Sequence, residues 1–532
     1  MSEQYEKKEL RQHIYDTPDT YVGGIDKIND ILPIKNEDKI VFKEIEYIPA
    51  LLNIFNEILV NSRDQIVRLK DNTDAIQVSQ IKINFNPDNS ITIMNDGNGI
   101  IVKKHEKEKI YIPQLIFGEL LTSSNYKKDE KRIVGGKNGY GAKLANIFSQ
   151  EFTIETVDHI NKLKYTQTWE NNMTKCNEPV IKKCQAKPYT KITWKCDFKR
   201  FDLQKYSDDM INLMYRRIYD IAGITDKSIS VSLNDEKIKI KSFLDYIKLY
   251  NNSPNTLLFQ ETISDRWDVI FSVSHNDTFE QLSFVNGICT SKGGSHVECI
   301  AKQISNGIID FIKKKHKKEI KDKVIRRYMS LYINSVIENP SFDSQTKERC
   351  ITAQSKFGSK PVLSAKFIKK VCSNNELIDK ILDANNKNDN KDLKKTDGKK
   401  KNKIIVPKLD DANWAGTKKS HECTLILTEG DSAKSMAIAG LSEVGRDKYG
   451  VFPLKGKVLN VREAAVKQIN GNSEIVNIKK ILGLESNKKY KNIKSLRYGK
   501  IMIMTDQDHD GFHIKGLLIN MFHYLWPELL NF

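Results

Sequence analysis

Residues 384–403 read ANNKNDNKDLKKTDGKKKNK, a stretch with almost no apolar side chain. Too little apolar surface is available there for burial to offset the conformational entropy of ordering the chain. The expectation is a flexible basic linker with separate folding units on either side. A length of 532 residues is also too great for one core and points to about three domains. A nuclear-localisation role for residues 399–403 is a second reading of the same lysines.

Upstream of that break, residues 50–68 carry apolar side chains at helical spacing: Leu51, Ile54, Phe55, Ile58, Leu59, Ile66 and Val67. Ile81, Ile83 and Phe85 alternate with polar residues, Pro87-Asp88-Asn89-Ser90 turns the chain, and Ile91 and Ile93 resume the alternation. This predicts a hairpin. A softer boundary falls near Asn234, with a strand before it and a helical pattern starting at Phe243. Downstream, residues 424–428 and 500–505 read as short apolar strands that end in acids, a pattern of α/β architecture.

The formal charge of +18 favours a polyanionic partner, nucleic acid before an acidic membrane, although a Lys-, Asn- and Ile-rich composition contributes to it. Eight cysteines without CxxC pairs indicate neither a zinc site nor a disulfide framework. No apolar run is long enough to span a bilayer, and residues 1–10 lack an apolar signal core. These features lead us to expect a soluble intracellular protein.

Three motifs carry the first candidate site. On the predicted helix, Glu57, Asn61 and Asp64 fall at i, i+4 and i+7 and share one stripe. A carboxylate beside an amide one turn on can polarise water and hold a hydrated Mg²⁺, though a solvated polar face has the same spacing. NDGNGI at 95–100 follows the second hairpin strand. A carboxylate there could accept from an adenine amino group, while a plain Asp-Gly turn is the alternative. GGKNGYGAK at 135–143 leads into an apolar helical stretch, and its glycines leave backbone N–H groups free for phosphates. Its spacing is not that of a P-loop.

In this order the three motifs resemble the GHKL ATPases, a group that includes gyrase, heat-shock chaperones, histidine kinases and mismatch-repair clamps. TPDTYVG at 17–23, NEILVN at 56–61, LLTSSNY at 120–126 and the glycine loop narrow the resemblance to eukaryotic-type topoisomerase II. That resemblance implies ATP and Mg²⁺ as cofactors. Glu57 would be the general base, Asn61 the Mg²⁺ ligand and Asp64 a further member of the binding stripe. Asp96 would read adenine, Ser123, Ser124 and Asn125 would meet ribose and phosphate, and Asn138, Gly139, Tyr140, Gly141 and Lys143 would wrap the triphosphate. Tyr5 would reach the partner subunit's nucleotide in a homodimer joined through the ATPase domain. Gln65 stands where the family usually has Asn.

SFVNG at 283–287 with TSKGGSH at 290–296 resembles the family's turn into a long transducer helix, and NPSFDSQTK at 339–347 its switch loop. By that resemblance Lys347 contacts the γ-phosphate and Gln345 assists. EGDSA at 429–433 and DQDHDG at 506–511 each end an apolar strand, where alternate residues project together and carboxylates can share a hard cation. A two-metal arrangement could then serve phosphoryl transfer. Plain acidic loops look similar. These strings resemble the TOPRIM domain, which places Glu429, Asp506, Asp508 and Asp510 at its acidic positions, and PLKGKVLN at 453–460 resembles its topoisomerase II form. Lys455 and Lys457 would there contact the DNA backbone.

The fold class this implies is a multidomain α/β and α+β chain. It comprises a GHKL ATPase sandwich (1–235), a transducer of the ribosomal-protein-S5-like α/β type (236–383), the basic linker and entry segment (384–418) and an incomplete TOPRIM α/β domain (419–532). The function implied is ATP-dependent passage of one DNA duplex through another. The expected partner is double-stranded DNA and the expected compartment the nucleus, with cytoplasm or virus factory as alternatives. The family's winged-helix region with its nucleophilic tyrosine has no counterpart here. The expectation is therefore that it is supplied downstream in cis or by a partner subunit, and that the chain alone hydrolyses ATP without cutting DNA. Alternatives are the large ATPase subunit of a split gyrase-like enzyme, disfavoured by the eukaryotic-type strings, and a non-cleaving GHKL DNA clamp, disfavoured by the strand-end acids.

Overall fold

The computed structural model describes residues 7–70, 72–122, 132–136, 139–250 and 256–532. The chain divides into two units, Met1–Ile378 and Asp379–Phe532.

In the first unit the predicted hairpin forms from Gln80–Phe85 and Ser90–Asp96, with Ile83 opposite Ile93 and Asn89 in the left-handed region at φ 64°. It sits inside a nine-stranded sheet among the described residues. Ser90–Asp96 pairs with Tyr189–Cys196, which pairs in turn with Ser149–Val157. The predicted helix runs Pro49–Lys70 and buries Ile54, Phe55, Ile58 and Leu59 against Ile81, Ile83, Ile91, Ile93 and Trp194. Helix Asp208–Ile224 packs beside it, started by Ser207, whose hydroxyl accepts from the Met210 N–H.

The later part of this unit carries a five-stranded sheet ordered Phe259–Ser264, Trp267–Val273, Met329–Ser335, Glu280–Val285, Ile288–Cys289. Its last two strands join through Asn286 and Gly287 at φ 51° and 84°, the two left-handed residues that a tight hairpin turn requires. The long helix Ser295–His316 buries Val297, Ile300, Ala301, Ile304, Ile308 and Ile312 along one face.

The second unit holds a parallel three-stranded sheet in which Thr424–Glu429 lies between Tyr449–Leu454 and Lys500–Met504. Its central strand is buried on both faces, as parallel strands are. Among the described residues no helix is long and apolar enough to cross a membrane.

The segment expected to be a flexible linker is ordered. Helix Asn375–Lys394 runs through its first half. Beyond it, the Gly398 N–H donates to Leu484 O at 2.8 Å, and Arg497 Nε donates to Lys401 O at 2.7 Å. Asp397 accepts from Ser486 Oγ at 2.7 Å and pairs at 3.1 Å with Lys479, whose side chain is 2% exposed. Backbone groups and the polar side chains of Thr396, Asp397 and Lys400 do most of the docking, with Leu393 packed on the core, so a count of apolar side chains registers little of it. Asp397→Ala leaves the Lys479 ammonium buried without a counter-charge. It should destabilise the second unit by about 3–5 kcal/mol, read as a lowered midpoint in urea.

Candidate active site

Helix Pro49–Lys70 carries the predicted stripe, and the fold gives its members different surroundings. Glu57 accepts from Lys347 Nζ at 2.8 Å, with both side chains mostly buried. A lysine from the predicted switch loop thus meets the predicted base across 290 residues of sequence. Lys347 itself sits at φ 58°, the left-handed region, at the end of a turn in which its N–H donates to Ser344 O. The Lys292–Glu348 ion pair at 2.8 Å braces the following residue.

Gly141 explains how the glycine loop comes this close. A Cβ at that position would stand 2.2 Å from Glu57 Oε2 and 3.6 Å from Asn61 Nδ2, so any side chain would displace the carboxylate. Glu57, Asn61, Gly141 and Lys347 therefore lie close together. Lys143, in the first turn of helix Gly141–Ile147, is buried and donates to Thr122 O at 2.8 Å and Gly139 O at 2.7 Å. Burial pushes its pKa down to about 8.

Asp64 departs from its expected place as a nucleotide contact. It is fully buried, and its carboxylate accepts from the Gly135 and Gly136 N–H groups at 3.0–3.1 Å. Burial drives its pKa up against the opposing pull of Arg63 and the two amides. Asp64 is a strut beneath the loop.

Strand parity puts Asp96 and Asn95 on opposite faces. Ile91 and Ile93 face the helical core, and Asn95 follows them on that face, opposite Ile81 and Thr190. Asp96 points the other way. It accepts from Ser79 N at 2.6 Å, Ser79 Oγ at 2.5 Å, Gln80 N at 2.9 Å and Lys187 Nζ at 2.6 Å. Burial alone would raise its pKa, but the bonds from Lys187 and Ser79 hold it below the usual range. Asn95, whose Nδ2 donates to Asp96 O at 2.9 Å, is not among the residues proposed from the sequence; the parity of Ile91 and Ile93 is the signal that puts it on their face.

A cleft of about 260 Å³ is lined by Arg132, Gly135, Phe342, Gln345 and Lys347, among others. A smaller cavity of about 50 Å³ shares Gln345 and Lys347 with it and reaches Asn56, Glu57, Arg217 and Cys289. Tyr140 lies at the start of helix Gly141–Ile147, its ring 6.0 Å from that of Tyr21. Tyr5, Ser123, Ser124, Asn125 and Asn138 lie outside the described residues.

In the second unit the parallel register brings Glu429 beside Asp506, whose N–H donates to Glu429 Oε2 at 3.2 Å. Asp508 caps helix His509–Leu525, accepting from the Gly511 N–H at 2.7 Å. Asp510 pairs with Lys457 Nζ at 2.8 Å. Among the described residues no three His, Cys, Asp or Glu side chains converge as a metal site. The acids are neighbours with separate partners, and Lys457 holds a cationic position beside one of them. Lys455 lies on the same Leu454–Lys457 stretch, just past the end of strand Tyr449–Leu454.

Comparison with known proteins agrees with this layout. Residues 240–401 match the DNA gyrase B family model and residues 424–531 the Toprim domain. The solved ATPase region of Saccharomyces cerevisiae topoisomerase II superimposes with a TM-score of 0.67 at 41% identity, covering 72% of this chain and 100% of that one. The chain belongs to the DNA topoisomerase II family. The solved ATPase and transducer domains of the Balamuthia mandrillaris member give a TM-score of 0.68 at 39% identity, covering 73% of this chain and 98% of that one. DNA topoisomerase 2 of Arabidopsis thaliana is 48% identical over 540 residues, and that of Saccharomyces cerevisiae 46% over 553. Each alignment covers 100% of this chain but only 36% and 38% of those proteins, so the chain spans little more than a third of their length. It comprises the ATPase, transducer and Toprim portion of the family.

Gly141→Ala should push Glu57 away from Lys347 and free the switch loop. Hydrogen exchange of the amides at 344–349 is expected to accelerate by about tenfold or more while the sheet amides keep their protection.

Proposed function

We propose that the first unit binds and hydrolyses ATP, with Glu57 as general base for the attacking water and Asn61 holding the nucleotide's Mg²⁺. The observation that carries this reading is the meeting of Glu57, Asn61, Gly141 and Lys347 at one point on helix Pro49–Lys70. A carboxylate there can take the proton of a water in line with a terminal phosphate, and Lys347 supplies the opposing positive charge. Lys143, Gly139 and Tyr140 from the glycine loop, with Gln345 on the cleft wall, serve the triphosphate. Of the residues outside the described set, Ser123, Ser124, Asn125 and Asn138 complete that cradle and Tyr5 reaches across a homodimer. Asn95, not Asp96, faces the base.

In the second unit Glu429, Asp506, Asp508 and Asp510 offer the all-oxygen donors that a hard divalent cation takes. We assign them to Mg²⁺ and Lys455 and Lys457 to the DNA backbone. When bound, the metal would stabilise charge on the phosphate oxygens of the reacting strand. The whole protein then passes one DNA duplex through another, powered by ATP, as a nuclear homodimer.

Glu57→Gln tests the reading. ATP turnover should fall at least about 100-fold while binding of a fluorescent ATP analogue changes little; turnover at the parent rate removes Glu57 from the chemistry. Asn95→Ala should weaken that binding about tenfold, whereas Asp96→Asn should leave it within about twofold. The reverse order of effects would return the base-reading role to Asp96.

A further inference from the structure

Asn53, Asn56, Glu57 and Val60 form the face of helix Pro49–Lys70 that lines the smaller cavity, and Arg217 from helix Asp208–Ile224 enters the same cavity. Arg217 Nε donates to Asn56 Oδ1 at 2.9 Å, one residue from Glu57. Its Nη1 pairs with Asp220, which is 0% exposed and also holds Arg216 at 3.0 Å and the Tyr246 hydroxyl. Tyr250 closes the cluster, 2.8 Å from Tyr246 and 3.2 Å from Arg216 Nε. Arg216 Nη2 reaches out of it to Cys289 Sγ at 3.6 Å, on the strand that follows the Asn286-Gly287 turn.

Two guanidiniums against one carboxylate is a costly arrangement to bury, and apolar side chains of equal volume commonly pack as well. What the ions add is direction. One arginine grips the hydrolytic helix beside Glu57, and the other grips the transducer hairpin. We propose that Arg217 is a positioning residue for Glu57, fixing the rotation of helix Pro49–Lys70 through Asn56 and referring it, through Asp220 and Arg216, to strand Ile288–Cys289. A rotation of about 20° about the helix axis would carry a carboxylate at the helix surface roughly 2 Å. A displacement of about 1 Å is enough to cost a reaction about 100-fold. The assignment rests on Glu57 being the base.

The test uses the full chain, with steady-state ATP hydrolysis, binding of a fluorescent ATP analogue and melting temperature measured together. Asn56→Ala removes the acceptor while leaving the buried ion cluster whole, so it avoids the folding risk of changing Arg217. The expected result is kcat reduced about tenfold with KM and analogue binding within about twofold. Asn56→Asp, which restores an acceptor for Arg217, should recover most of the rate. Unchanged kcat in Asn56→Ala overturns the proposal, as does a loss of kcat and binding together with a lowered melting temperature that Asn56→Asp does not rescue. Glu57→Gln in the same assay separates the two readings. If it retains turnover, the choice of base has failed; if it abolishes turnover while Asn56→Ala does not reduce it, only the role of Arg217 has.

Discussion

The ion pair between Lys347 and Glu57 is the contact on which the arrangement of the first unit turns. Neither group is worth much to the other in water, but at this burial the attraction is less screened and an unpaired charge is costly. The pair can exist only if the five-stranded sheet presents its loop to helix Pro49–Lys70. It therefore registers the docking of two substructures far apart in sequence. Everything near it serves that meeting. Gly141 leaves room for the carboxylate, Asn286 and Gly287 turn a strand tightly enough to pack on Arg63, and Lys292 steadies the loop from behind.

Periodicity made most of the scaffold legible. The hairpin ending at Asp96 was readable because Ile81, Ile83, Ile91 and Ile93 alternate, and helix Pro49–Lys70 because its apolar residues recur every three or four positions. The Asn286-Gly287 hairpin turn is a local backbone requirement, yet the sequence reading takes it only as part of a turn into a long helix. The site was legible as a set of motifs but not as a geometry. A motif names letters, whereas a strand sends adjacent letters to opposite faces, as it does Asn95 and Asp96. Asp64 shares a helical stripe with Glu57, yet only the path of the glycine loop reveals that its oxygens meet Gly135 and Gly136.

The segment after Ile378 shows the opposite failure. Composition describes what side chains can bury, and residues 395–401 fasten themselves through main-chain groups and the polar side chains of Thr396, Asp397 and Lys400. The acids of the second unit fall between these cases. Their places at the ends of parallel strands follow from the strand pattern, but their present partners, an amide for Glu429, a helix start for Asp508 and a lysine for Asp510, are tertiary facts.

The buried carboxylate of Asp64 has a consequence for anion recognition. A glycine loop is useful to an anion as a row of unengaged N–H donors, and the first two in this row already point at an anion that belongs to the protein. A ligand entering from the cleft finds those two amides already engaged. The inventory left to it is shorter than the count of glycines suggests.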